Sequence, residues 1–410
     1  MENIQQTFSG NPTFGQRATA IVSRNGDLIN SAYLYVSLPS LSDANWKQVG
    51  TSVSASQGGP DKPKLCWTNF VGLALIHSVT VEIGGQEIDK HYGLWMYAWK
   101  ELTMSSEKVD GYKRMVGATD NSGYLLYGNG DQEQVLHIPL DFWFNINPGL
   151  SLPLIALQYH EVRFLFNFRP ISELLLLIDI SNGGTIVDKA DWQIDKAISA
   201  PQIDLFIDYV YLDTDERRRF AQMSHEYLIE QVQTYETTVD LKTGGQKPVK
   251  LTFNHPCKEL IWLFQREDNA AANDWFNFAN AGPGEEKLGP DILQSAVLTL
   301  NGHRRFNPPR GPLFFRQWQP FIHHTNIPDS NLYLYSFALR PEEHQPSGTC
   351  NFSRIDNTSL ELLLSHGTPT SPVLPDYLLT QSEVALLTVF ARNYNVLRIM
   401  SGMGGLAYSN

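Results

Sequence analysis

The decamer YHEVRFLFNF, residues 159–168, puts Val162, Phe164, Phe166 and Phe168 on one side of an extended chain. Glu161, Arg163, Leu165 and Asn167 fall on the other, because successive side chains of a strand point to opposite faces. The segment is therefore a strand with one apolar face. SVTVEIGGQEI alternates in the same way through Val79, Val81 and Ile83 and runs into Gly84-Gly85. Such a pair supplies the positive φ angles of a tight hairpin. SAVLTLNGHRR repeats the design with Asn301-Gly302.

These two hairpins open a longer parallel between the halves of the chain, since Ser78 and Ser295 lie 217 residues apart (295 minus 78). An aromatic, helix-like segment follows each, HYGLWMYAWKEL from His91 and RGPLFFRQWQPF from Arg310. Strands then return in the order VLHIPLDFWF, YHEVRFLFNF, IDLFIDYVYL and, in the second half, LYLYSFAL, TSLELLLS, LLTVFARNYNVLRI. At 410 residues the chain exceeds one ordinary core and suits two units of roughly 200. Between them Asp213 and Glu216 resemble a capping box, which predicts a short helical linker near 213–224 and domains at 1–215 and 216–410. The fold class is all-β, two similar sandwiches in tandem. Two long insertions, residues 40–64 and 266–290, read as loops. The aromatic stretch NDWFNFANAG in the second is expected to clasp neighbouring molecules or to cap an outer tower.

Composition narrows the function. A formal net charge of −12 argues against a protein that neutralises nucleic-acid phosphates, and the triplet Arg217-Arg218-Arg219 sits among Asp213, Asp215 and Glu216 as a solvated or interdomain helix face. Cys66, Cys257 and Cys350 are too few and too scattered for a disulfide framework and suit a reducing compartment. MENIQQTFSG has neither the basic nor the apolar part of a secretory signal, and the longest pure aliphatic run, Leu174–Ile178, is far too short to span a membrane.

Mechanistic motifs mostly fail. Glu342, Glu343, His344 and Cys350 fall within nine positions, which suggests a metal site or a thiol nucleophile. Pro341 and Pro346-Ser347-Gly348 instead place the acidic pair and the histidine on a connector, with the next strand beginning after Cys350. Nothing nearby would activate the thiol. His160-Glu161 and His225-Glu226 open like zinc-protease helices but lack the second histidine, Phe164 and Ile229 standing in its place. YGNGDQ, around Gly128 and Gly130, is a turn, and the adjacent His323 and His324 diverge in an extended segment. Asn351 and Asn357 match a glycosylation sequon whose compartment nothing supports. No catalytic, cofactor or metal residue is assigned.

The stretches IPDSNLYLYSFALRPEEHQPSGTCNFSRIDN, NYNVLRIMSGMGGLAYSN and ENIQQTFSGNPTFGQRATAIVSRNGDLI resemble the major capsid proteins of nucleocytoplasmic large DNA viruses, in the algal-virus-like branch. SVTVEIGGQEIDKHYG and FWFNINPGLSLPLIALQYHEVRF extend the likeness over almost the whole chain. The resemblance implies a double jelly roll of two eight-stranded sandwiches and a homotrimer forming a pseudo-hexagonal capsomer. It further implies an icosahedral virion assembled in host cytoplasm, with neighbouring capsomers, minor capsid and penton proteins as partners. Contact with an inner membrane would be indirect, with no specific nucleic acid bound. RPEEHQPSGTC would be an architectural loop. Family members usually carry an aromatic and basic segment before the part matching ENIQQTF, and a chain in which Met1 stands directly before Glu2 is expected to trimerise well but close shells poorly. The alternative function is a carbohydrate-active jelly roll, glycosidase or lectin, which needs two facing carboxylates. Asp141 and Glu361 are available, but nothing pairs them.

Overall fold

The computed structural model describes residues 1–41, 46–49, 63–118, 133–179, 185–195, 198–241, 245–284, 289–365 and 384–408. The YGNGDQ turn lies outside them. In chain order the first lobe runs β1 (Glu2–Gln6), β2 (Arg17–Ile21), β3 (Leu28–Leu38), β4 (Ile76–Ile83), β5 (Gln86–Tyr92), α1 (Gly93–Thr103), β6 (Gln134–Pro139), β7 (Val162–Phe168) and β8 (Gln202–Val210). After α2 (Thr214–Gln222) the second lobe runs β9 (His225–Asp240), β10 (Gly245–Leu251), β11 (Pro256–Arg266), β12 (Leu293–Leu300), β13 (His303–Arg304), α3 (Gln319–His323), β14 (Tyr333–Ser336), β15 (Thr358–Leu364) and β16 (Val384–Met400).

The first lobe pairs these strands as β1-β8-β3-β6 facing β2-β7-β4-β5, and the second as β9-β16-β11-β14 facing β10-β15-β12-β13. Every strand thus has its counterpart eight strands later, in the same sheet position. Two-residue strands (Phe8–Ser9, Leu152–Pro153, Cys350–Asn351) and Met403–Leu406 extend the edges and ends. The duplicated order seen in the sequence is therefore a duplicated topology, that of the double jelly roll.

Local chemistry explains the elements. In β7 burial alternates strictly, with Val162, Phe164, Phe166 and Phe168 inside. Both hairpins turn at consecutive positive-φ residues, Gly84 and Gly85 (φ 60° and 83°) and Asn301 and Gly302 (φ 49° and 80°). The first helix begins at Gly93, not His91, because His91 and Tyr92 complete β5 against Val79 and Ser78. The second aromatic segment is a π-helical turn, Phe314–Trp318, continuing into α3. α2 forms where the capping box predicts it, although the Asp213 side chain makes no cap bond. Residues 46–48, expected as loop, pair as a short strand with Trp192–Ile194.

The apolar interior is not two separate cores. One cluster fills the second sandwich alone, around Trp262, Phe264, Tyr333 and Leu387. The other fills the first sandwich and continues across the seam to Ile229, Ile261, Leu263, Leu334 and Phe390. β11 is accordingly buried on both faces, which is why CKELIWLFQR reads as one long inside run rather than alternating. Among the described residues no helix is long and apolar enough to cross a membrane.

Candidate functional site

Charged residues enter that seam from five segments. Lys258 and Glu259 interrupt the apolar run of β11 and are fully buried. Arg392 on β16 stands opposite Glu259 in register, and Glu230 comes from β9. With no water to turn to, such groups must satisfy one another. Lys258 Nζ donates to Glu230 Oε1 at 2.7 Å and to the Glu343 carbonyl at 3.2 Å. Arg392 donates to Glu230 Oε2, to Glu259 Oε1 at 3.4 Å and to the Pro341 carbonyl at 2.9 Å. Its guanidinium stacks 3.8 Å from the ring centre of Trp99 on α1.

His324 closes the network. Its Nε2 lies 2.8 Å from Glu259 Oε2 and its Nδ1 3.0 Å from Glu342 Oε1, the imidazole being fully buried. Glu342 also accepts from the Thr325 amide (2.7 Å) and hydroxyl (2.5 Å). Burial alone would discharge His324, but Glu259 and Glu342 outweigh it and raise its pKa to about 9. Burial likewise opposes ionisation of Glu259, yet His324, Arg392 and Lys258 bring it down to about 2. Three carboxylates, Glu230, Glu259 and Glu342, thus face three cations, Lys258, Arg392 and protonated His324. The group is neutral as a whole.

This arrangement can clamp but offers no chemistry. Both imidazole nitrogens donate to carboxylates, so neither presents a lone pair to a metal. All six charged residues belong to the second lobe, and the network meets the first through Trp99, on which Arg392 stacks and whose ring His324 meets edge-on at 6.2 Å; other contacts join the lobes directly. On α1, Trp95 meets Phe390 at 5.4 Å between ring centres, and the Glu101 and Leu102 carbonyls accept from Asn326. Farther along, Asp89 pairs with His91 at 2.9 Å and accepts from the Val232 amide. At the opposite end Asn273 donates to the Ser172 and Leu175 carbonyls, Trp275 donates to that of Glu173, and Arg169 stacks on Trp275. NDWFNFANAG, expected to clasp other molecules, is therefore spent inside its own chain, with Phe276 and Phe278 buried beside Tyr97.

The sequence candidates scatter. Of the EEH cluster, Glu342 joins the network, Glu343 pairs with exposed Arg340, and His344 lies half-buried on the connector. Cys350 belongs to a strand rather than preceding one. It faces Cys257 across the pairing with β11, and burial pushes both thiols up. His323 and His324 do diverge, His323 turning to the Leu339 carbonyl, but His323 is the last residue of α3 rather than part of an extended segment. His160 binds the Gly404 backbone and His225 lies on β9, neither on a helix. Arg217 reaches Asp27 from exposed α2. The Asn351 side chain accepts from the Ser353 amide, and Asn357 packs against Asn301. Asp141 pairs with Lys100 in one lobe and Glu361 with Arg304 in the other, so the two never face each other. Among the described residues no three or more His, Cys, Asp and Glu side chains are grouped to hold a metal. Metal analysis of protein purified without chelator should find far less than one zinc per chain, and stoichiometric zinc lost on His344→Ala would contradict it.

Residues 1–213 match the family described as "Major capsid protein N-terminus", and residues 216–405 match "Large eukaryotic DNA virus major capsid protein". The chain belongs to the major capsid proteins of large eukaryotic DNA viruses. The major capsid protein of Pyramimonas orientalis virus is 43% identical, covering 100% of this chain and 90% of the relative, and that of Phaeocystis pouchetii virus is 39% identical, covering 100% and 93%. A solved chain of the PBCV-1 virus capsid superposes with a TM-score of 0.79 at 33% identity, covering 100% of this chain and 96% of the other. The Faustovirus major capsid protein, at 14% identity and a TM-score of 0.73, shares the fold. This capsid protein is structural and not an enzyme, and the carbohydrate-active alternative has no support.

Proposed function

We propose that three copies of this capsid protein close into a pseudo-hexagonal capsomer and that such capsomers tile an icosahedral shell. The observation that carries the reading is the strand-by-strand duplication, because two equivalent lobes per chain become six only when three chains form a ring. Each lobe, 1–215 and 216–410, serves as one corner of the hexagon. The shared core and the hydrogen bonds across the seam make the pair one stiff block, as a tile must be. Neighbouring capsomers, minor capsid and penton proteins are its partners in the virion, contact with an inner membrane is indirect, and assembly takes place in host cytoplasm. Sedimentation of the purified chain at micromolar concentration should give about three times 46.3 kDa. A single-chain mass in moderate salt would overturn the reading.

A further inference from the structure

α1 and the segment Leu313–His323 follow equivalent hairpins, β4–β5 and β12–β13, yet their apolar side chains meet different fates. α1 buries Trp95, Tyr97 and Trp99. In the second lobe Leu313 is 67% exposed, Trp318 54%, Phe321 67% and Ile322 49%, with Leu339 at 73% alongside. A cluster of this kind marks an interaction surface.

What covers it follows from the duplication. α1 rests on the outer face of sheet β9-β16-β11-β14, where Trp95 meets Phe390, the cross-strand partner of Ile261. In the matching sheet of the first lobe the equivalent strands, β3 and β8, carry the cross-strand pair Tyr33–Phe206. Their rings stack 5.4 Å apart, Tyr35 and His137 pack beside them, and Val135 is 49% exposed on the same face. Among the described residues each chain therefore carries one completed lobe contact and the two unused halves of a second: an aromatic helical segment with no sheet against it, and an aromatic sheet face with no helix against it. Charge agrees with shape. Asp204 and Asp208 flank Phe206 along β8, whereas Arg310 borders the exposed segment, over the ring of Phe314.

We propose that Leu313, Trp318, Phe321 and Ile322 of one copy dock on the Tyr33, Tyr35 and Phe206 face of the next, repeating between chains the contact made within each. The contact is heterologous, and three repetitions close the ring. The proposal rests on the trimer reading and supplies its surface.

The test uses the full chain. Combining Trp318→Lys with Phe321→Lys should weaken self-association by about 100-fold or more, as loss of central aromatic anchors does. Tyr35→Cys combined with Phe321→Cys should cross-link under mild oxidation into species of up to three chains, while either cysteine alone does not. The native Cys66, Cys257 and Cys350 are buried and give little background. A wild-type trimer whose Tyr35→Cys/Phe321→Cys form fails to cross-link overturns the pairing and leaves the trimer standing, whatever the lysine variant does. A wild-type chain that sediments alone overturns the trimer and this contact together.

Discussion

Arg392→Ala is expected to destabilise this capsid protein by about 3–5 kcal/mol, the usual cost of removing one partner from a buried ion group. The side chain is 3% exposed and answers Glu230, Glu259 and the Pro341 carbonyl at once. Alanine would leave Glu230 with Lys258 alone and Glu259 with His324 alone, and would strip Trp99 of the cation beneath its ring. The damage falls on the second lobe, whose strands carry every ion pair of the group, and on the one contact Arg392 makes to the first lobe at Trp99, so the second sandwich should lose stability first. Arg340→Ala is the matched control. Its partner Glu343 is 53% exposed and Arg340 itself 73%, so that pair contributes less than about 1 kcal/mol. Thermal and urea unfolding of both variants check the contrast, and equal stability in the two would mean that the buried network contributes no more than a surface pair.

The sheets were legible in the sequence because a strand with one buried face writes itself as alternation, as Val162 to Phe168 do. The duplication was legible because both lobes keep the same element order, and the hairpins because Gly84-Gly85 and Asn301-Gly302 supply positive φ. The seam was not. Its six charged residues come from positions 230 to 392, and no local period connects them. One signal was available. Lys258-Glu259 inside CKELIWLF and Arg392 inside LLTVFARNYNV are charges set among mostly apolar strand residues, and a charge buried in such a strand has to find a counter-charge. Glu342 was read correctly as a connector residue, but its bond to His324 depends on tertiary placement alone. The fate of NDWFNFANAG was hidden for a related reason: an aromatic loop looks the same whether it covers another molecule or the other half of its own chain.

The same network sets a pH limit. His324 has its pKa raised from 6.5 to about 9, so the stability it contributes is complete below pH 6.5 and is lost as pH rises through about 9. Glu259, lowered from 4.5 to about 2, contributes stability present above pH 4.5 and lost as pH falls through about 2. Both contributions describe one ion pair and are not added. The alkaline loss is roughly 3 kcal/mol at one pKa unit per 1.36 kcal/mol, equivalent to about 6–12 °C in melting temperature for a unit of some 200 residues. Lys258 cannot be the source. Burial and Arg392 lower its pKa, so its contribution grows as pH rises toward its ordinary range, the opposite sign. Glu342, also lowered, is fully ionised across the window. The expected result is a melting temperature that falls between pH 6.5 and 9 in the wild-type chain and changes much less in His324→Gln, whose amide can still bond one carboxylate but carries no charge. That variant at pH 6.5 should melt near the wild-type value at pH 9. Parallel declines in the two proteins would assign the titration to another group.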